Sequence, residues 1–222
     1  MMGKRCPLCS SVDSSEFFRE HSKIYYRCPV CQLTYLTATD LPSIDDERAR
    51  YNTHNNSLED HGYRKFQLRL IERMLPLIKA GARGLDYGCG PVPIGAKIFT
   101  DNNYPTRYFD PIYFPDSSLL KEQYDFISAV EVVEHFHQPA EMFNRLDRML
   151  QPGAYLGIMT YFMDDDGAFP NWWYRRDLTH VCFYKRETLE WIAHWRAWEV
   201  RLNKANVTIF RKPGDPPDQR NN

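Results

Sequence analysis

The chain has 222 residues, 43% of them hydrophobic and 14% aromatic, which is enough for one full α/β domain and a small appendage. A formal net charge of −1 excludes a global field that would draw it onto nucleic acid or acidic lipid, and only a local basic patch stays open. No stretch of about 18 apolar residues is present, so no membrane-spanning helix is expected. The opening MMGKRCPLC has no apolar segment behind its basic residues and does not read as a signal peptide. The expectation is a cytoplasmic protein with mostly reduced cysteines, so that cysteine pairs point to metal rather than to disulfides.

Residues 1–39 hold four of the six cysteines, as Cys6-Pro-Leu-Cys9 and Cys28-Pro-Val-Cys31. Two such turns can bring four thiolates onto one zinc ion, a closed tetrahedral site with no position for substrate. Four independent reduced cysteines would leave the duplicated knuckle unexplained. Strand-like segments at Glu16–Arg19 and Lys23–Arg27 complete a zinc ribbon, either a stabilising module or a substrate-recruiting one. Residues 40–57 are charged and polar and read as a linker leading into helices.

From residue 58 to 212, helix and strand alternate. Apolar residues at Phe66, Leu70, Ile71, Met74, Leu75 and Ile78 predict a helix over Tyr63–Lys79, ended by Gly81. A short strand follows at Gly84–Tyr87, then a helix at Ile94–Thr100 and a strand at Arg107–Phe109 ended by Asp110-Pro111. An apolar strand at Tyr124–Val130 leads to a helix at Pro139–Leu150 and a strand at Ala154–Thr160. After a long irregular stretch come a helix at Glu187–Trp195 and a hairpin, Glu199–Asn203 with Val207–Arg211, around Ala205-Asn206. The tail, 213–222, reads as disordered. The order implies an α/β fold: a Rossmann-like, mostly parallel sheet with a terminal antiparallel hairpin strand, preceded by a small zinc ribbon.

The turn Asp86-Tyr87-Gly88-Cys89-Gly90 joins a strand to a helix, and Asp110 ends the next strand, where a carboxylate can accept from ribose hydroxyls. Two glycines alone also suit a tight turn that holds no ligand. A dinucleotide fingerprint wants a third glycine where Pro93 stands. Asp86 would repel a pyrophosphate but tolerate a cofactor carrying an ammonium and a sulfonium, which favours S-adenosylmethionine over a nicotinamide dinucleotide.

GLDYGCGPVP resembles motif I of class I S-adenosylmethionine-dependent methyltransferases, and FDP at 109–111 their acidic second-strand terminus. YDFISAVEVVEHFHQP is similar to their fourth-strand motif, and LDRMLQPGAYLGIMT to the helix and strand that follow. The resemblance implies that Asp86, Gly88, Cys89 and Gly90 line the methionine end of the cofactor and that Asp110 holds its ribose. It also implies that Glu131 touches the cofactor's far side and that Tyr63, on the leading helix, covers it. The 13 residues between Asp110 and Tyr124 are too few for the family's third strand, so that strand should be reduced or absent. Tyr113 and Phe114 are candidates for packing on adenine.

For catalysis the candidates are Glu134 and His135, after the fourth-strand motif, and His180, which ends the aromatic-rich segment 161–180. Each histidine has a structural alternative: Asp177 would pair with His180, and His135 would cap a helix. The first reading is a methyltransferase for a small-molecule acceptor. A second is an RNA methyltransferase docking through Lys4, Arg5, Arg19, Lys23 and Arg27 of the ribbon. A third is a zinc-ribbon adaptor without catalysis. No membrane partner is expected.

Overall fold

A computed structural model of the chain describes residues 5–52, 57 and 60–214. His54, Asn55 and Asn56 and the tail beyond Gly214 lie outside these residues, as does Lys4.

The N-terminal part forms three antiparallel strands: β1 (Ser15–Glu20), β2 (Lys23–Arg27) and β3 (Thr34–Leu36). The stretch expected to be a linker contains a helix, α1 (Ile44–Tyr51). Its start is a reciprocal cap, in which Ser43 accepts from the Asp46 N–H and the Asp46 carboxylate accepts from the Ser43 N–H, each at 3.2 Å. The helix buries no residue of its own, so its position depends on polar contacts described below.

Helix α2 (His61–Met74) is capped by Asp60, which accepts from the Tyr63 N–H, and buries Leu70, Ile71 and Met74. It stops five residues short of the expected end. Pro76 has no N–H to continue the ladder and disfavours helical backbone at the residue before it.

A six-stranded sheet follows. Its strands are β4 (Gly84–Tyr87), β5 (Thr106–Phe109), β6 (Tyr124–Val130) and β7 (Leu150–Met159), with β8 (Cys182–Phe183) set apart, then β9 (Glu199–Lys204) and β10 (Val207–Arg211). The spatial order is β5-β4-β6-β7-β10-β9. The first four run parallel, and β10 lies antiparallel to β7 and to β9. Ala205 and Asn206 turn the hairpin at φ 53° and 64°, the paired left-handed geometry that two-residue hairpins favour. Among the described residues no strand lies beyond β5, so the shortened connection does omit the family's third strand.

The central strands β4, β6 and β10 are buried on both faces, with neighbouring residues pointing to opposite sides. Phe126 packs with α2 and with α3 (Ile94–Asp101), beside Leu70, Ile98 and Phe99. Ile127 faces the other layer, where α4 (Pro139–Met149) and α5 (Arg186–Arg196) contribute Phe143, Leu146, Leu189 and Ile192. Each such fully buried side chain contributes about 1.5–3 kcal/mol.

Strand β8 leaves this layer to pair with β3, Tyr35 opposite Cys182. The ribbon and the larger part therefore share a four-stranded sheet and a continuous core in which Leu8, Tyr25 and Leu33 join Phe136 and Tyr184. Phe169 is the hub. Fully buried, its ring meets Phe17, Phe18, Tyr25 and Phe183 at centroid distances of 5.2–5.7 Å. No helix among the described residues is long and apolar enough to cross a membrane.

Candidate active site

The carboxyl ends of β4, β5 and β6 open onto a cavity of about 770 Å³. At β4 the chain turns through Gly88 (φ 73°) and Gly90 (φ 66°). The Gly88 N–H donates to the Phe109 carbonyl at 2.7 Å, folding the turn back onto the end of β5. The Gly90 N–H donates to Asp110 Oδ2 at 3.0 Å, while Asp110 Oδ1 accepts from the N–H groups of Ile112 (2.8 Å) and Tyr113 (3.0 Å). One carboxylate thus fixes both loops that border the cavity, and Gly88, Gly90 and Asp110 all lie on its wall.

Asp86 does not. Its Oδ2 accepts from the Ala96 N–H at 3.0 Å and its Oδ1 from the Ser128 hydroxyl at 3.2 Å, which anchors the start of α3 to β6. Burial pushes its pKa up to about 6. Asp86 thus supports the turn from beneath, next to the wall that Gly88 and Gly90 line. Cys89 is likewise buried behind the wall, its thiol 3.4 Å from the Gly90 carbonyl. Tyr63 and Phe66 of α2 do reach the wall, as does Tyr113, whereas Phe114 packs on Tyr108 at 4.9 Å instead.

Helix α1, within the stretch expected to be a linker, roofs the cavity. Its Glu47 carboxylate meets His137 Nε2 at 2.8 Å, and Arg50 pairs with Asp177 at 2.7 Å. Just past the helix, Asn52 accepts from the Tyr113 hydroxyl at 2.9 Å. The sequence signal was present in Ser43-x-x-Asp46 followed by acidic residues, the pattern of a capped helix start.

The far end of the cavity is polar. Glu131 ends β6 in left-handed backbone (φ 54°), held by its N–H on the Met159 carbonyl at 2.8 Å. Burial and the neighbouring Glu134 push its pKa up to about 9. Glu134 is fully buried and not on the wall itself. Its Oε2 accepts from the Thr160 hydroxyl at 2.9 Å, and burial raises its pKa. His135 and His180 stand on the wall with ring centroids 4.8 Å apart. Each points Nδ1 at a main-chain carbonyl, His135 at Thr179 (2.9 Å) and His180 at Tyr174 (2.7 Å). A carbonyl only accepts, so Nδ1 carries the proton in both rings, and in the neutral form the lone pair sits on Nε2. Burial lowers the His135 pKa, with Glu134 opposing the shift. Asp177, expected as the partner of His180, binds Arg50 and the Thr179 N–H and hydroxyl, with His180 close enough to help lower its pKa.

The four ribbon cysteines converge. Cys6 Sγ lies 3.5 Å from Cys31 Sγ and Cys9 Sγ 3.3 Å from Cys28 Sγ, with all four sulfurs within 4.8 Å of one another. Tetrahedral Zn–S bonds of about 2.3 Å would set sulfurs about 3.8 Å apart, so the donor set fits zinc. The two knuckles repeat one backbone pattern. Ser10 and Gln32 follow them at φ 63° and 60°, with N–H groups on the Cys6 and Cys28 carbonyls at 2.9 and 3.0 Å. The ribbon also grips the 161–180 segment. Buried Arg175 binds Glu20 through both terminal nitrogens (2.7 and 3.0 Å) and donates to the Phe169 and Pro170 carbonyls.

A parallel sheet with a glycine turn and an acidic residue at adjoining strand ends defines an α/β protein that takes a nucleoside-containing cofactor in the crevice above those ends. Comparison with known proteins gives this class a family. The profile described as "Methyltransferase domain" matches residues 59–202, and the chain belongs to that family, as an S-adenosylmethionine-dependent methyltransferase. No protein of curated function matches the sequence.

Similar solved structures share the fold. An O-methyltransferase family protein from Burkholderia thailandensis superposes with TM-score 0.53 at 12% identity, over 81% of this chain and 66% of that one. The 1,6-didemethyltoxoflavin-N1-methyltransferase of the same organism, solved with 1,6-didemethyltoxoflavin and S-adenosylhomocysteine, gives TM-score 0.51 at 11% identity, over 88% and 98%. A Haloferax volcanii complex of the Trm112 methyltransferase activator with a methyltransferase gives 0.52 at 11%, over 69% and 93%.

Proposed function

We propose that this enzyme methylates a small-molecule acceptor held between the glycine turn and the wall formed by His135 and His180. The observation that carries the reading is the joining of the two ends in one cavity, roofed by α1 and lined by aromatic residues. Its volume of about 770 Å³ falls among those of small-ligand sites. S-adenosylmethionine, when bound, supplies an electrophilic methyl group on a sulfonium.

The chain's own groups supply position. Asp110, already oriented by three N–H groups, keeps acceptor capacity for ribose hydroxyls. Gly90 leaves room beside it, and Tyr63 closes the cavity from α2. Glu131, at the end of β6, meets the cofactor's far side. The four cysteines hold zinc as a structural ion, and the ribbon braces the segment that carries His180. This reading includes a reducing, cytoplasmic setting, since the site needs thiolates.

RNA is the less favoured acceptor. Two of the five residues of the expected basic patch are compensated, Arg19 by Glu16 and Arg27 by Asp166, each at 2.7 Å, which weakens that patch.

The test is calorimetry with S-adenosylmethionine, followed by transfer of labelled methyl to a metabolite panel and to RNA. Asp110→Ala should weaken cofactor binding about ten- to a hundredfold, the loss of one charge-assisted bond. Labelling of RNA alone would overturn the small-molecule acceptor. A wild-type, zinc-loaded protein that binds no S-adenosylmethionine would instead support an adaptor without catalysis.

A further inference from the structure

The polar end of the cavity holds a second arrangement, independent of the glycine turn. Glu134, His135 and His180 each offer one ligand atom, and the three atoms lie within 4.8 Å of one another. Glu134 is fully buried, and its Oε1 has no hydrogen-bond partner among the described residues. Thr160 holds the other oxygen, so Oε1 is the one presented, 3.8 Å from His135 Nε2. A buried carboxylate is costly unless something positive or hydrogen-donating meets it. Both imidazoles direct their Nδ1 protons away, onto the Thr179 and Tyr174 carbonyls. Such second bonds to carbonyls are how metal-ligating histidines are oriented and kept in the tautomer that coordinates. With bonds of about 2.1 Å, ligands of an octahedral ion stand about 3 Å apart when adjacent and about 4.2 Å when opposite. Closing the observed cluster onto an ion therefore needs shifts of only about 1 Å.

We propose that Glu134, His135 and His180 form a divalent-cation site whose open positions take a hydroxyl oxygen of the methyl acceptor. Two histidines and one carboxylate leave coordination positions open on one face of an ion, and here that face is the cavity wall. The substrate class follows, resting on the methyltransferase reading of the same cavity: an alcohol or phenol, best with a neighbouring oxygen that can chelate. Coordination acidifies the hydroxyl, so that its proton leaves to solvent without a dedicated base. The oxygen lone pair then bonds the methyl carbon as the methyl–sulfur bond breaks, its electron pair staying on sulfur. Glu134, which no acceptor can reach directly, acquires a role from beneath the wall, and the ion ties the turn after β6 to the end of the 161–180 segment.

The experiment uses full-length protein with its cysteine site zinc-loaded, titrated with Mn²⁺ alone and read by electron paramagnetic resonance. Mn²⁺ favours oxygen donors but accepts imidazole beside them, and as the weaker binder it does not displace zinc from thiolates. The expected result is one bound ion per chain, with pulsed spectra of the wild type showing nitrogen coupling from two imidazoles. Glu134→Gln and His180→Ala should each lower Mn²⁺ affinity at least about tenfold, while calorimetry shows S-adenosylmethionine still bound. No stoichiometric Mn²⁺, or bound Mn²⁺ without nitrogen coupling, overturns the site. If S-adenosylmethionine binds and Mn²⁺ does not, the cation site fails and the methyltransferase reading stands. If Mn²⁺ binds with nitrogen coupling and S-adenosylmethionine does not, the reverse holds.

Discussion

Gly90→Ala separates what the glycine turn does for the fold from what it does for the cofactor. At φ 66° a side chain sits in left-handed backbone, at a cost of about 1–2 kcal/mol. Part of this, about 0.4–1 kcal/mol, is offset because alanine restricts the unfolded chain. A Cβ at this position meets no atom within 4 Å, so no steric cost is added. The net loss of about 1 kcal/mol should lower the melting temperature by about 2–4 °C. The same methyl group stands on the cavity wall, however, where crowding by one carbon typically costs about 1–3 kcal/mol, or roughly 5- to 150-fold in affinity.

Gly88→Ala is the contrast. Its φ is 73°, and its Cβ would lie 2.6 and 2.8 Å from the two γ-carbons of Val132. Left-handed strain and overpacking then add to about 2–5 kcal/mol of lost stability. Scanning calorimetry and titration calorimetry with S-adenosylmethionine, run side by side on both variants, decide the matter. A Gly90→Ala protein that binds the cofactor like the wild type, or that loses as much stability as Gly88→Ala, would refute the reasoning.

Two further outcomes concern the ribbon. The Arg27 guanidinium holds the Asp166 carboxyl down to about 2, burial opposing and Lys185 assisting. Its folded pKa is below the ordinary value of about 3.9, so the pair stabilises fully above pH ~4, and the contribution is lost as pH falls through ~2. Asp166 is half exposed, and screening limits the effect to about 1 kcal/mol or less. Asp166→Asn should therefore cost stability at pH 6 but not at pH 2 in urea unfolding, and an equal loss at both pH values would count against the pairing. Cys28→Ser should remove one equivalent of zinc. Structural zinc contributes on the order of 10 kcal/mol, comparable to the whole stability of a domain, so the shared core should melt at a lower temperature. An unchanged melting temperature would show the ribbon to be energetically separate.

The strands of the main sheet were legible because each is a short apolar run closed by a strong punctuation mark: Gly88 after β4, Asp110-Pro111 after β5, Ala205-Asn206 between β9 and β10. The cysteine knuckles were legible because their spacing is the chemistry. Helix α1 was not, since it has no apolar face and its anchors, His137 and Asp177, stand 90 and 127 residues away from Glu47 and Arg50. Strand β8 escaped notice for a similar reason: two residues carry no periodicity, and its partner is in the ribbon. Sequence shows that Asp86 puts a carboxylate in the turn, but its contacts to the Ala96 N–H and the Ser128 hydroxyl come from α3 and β6 and were not legible there.

The pairing of Tyr35 with Cys182 spans 147 positions of the chain (182 − 35). At about 5–20 residues per second, a ribosome delivers the second partner roughly 7–30 s after the first. Through that interval β3 is a bare sheet edge, with hydrogen-bonding groups open to any passing strand. The knuckles, whose ligands all lie before β3, can close on an ion early. If the knuckles hold zinc as proposed, metal uptake during synthesis would tether the nascent edge before its cover arrives, and zinc supply would then bear on how much chain escapes aggregation as well as on the stability of the finished enzyme.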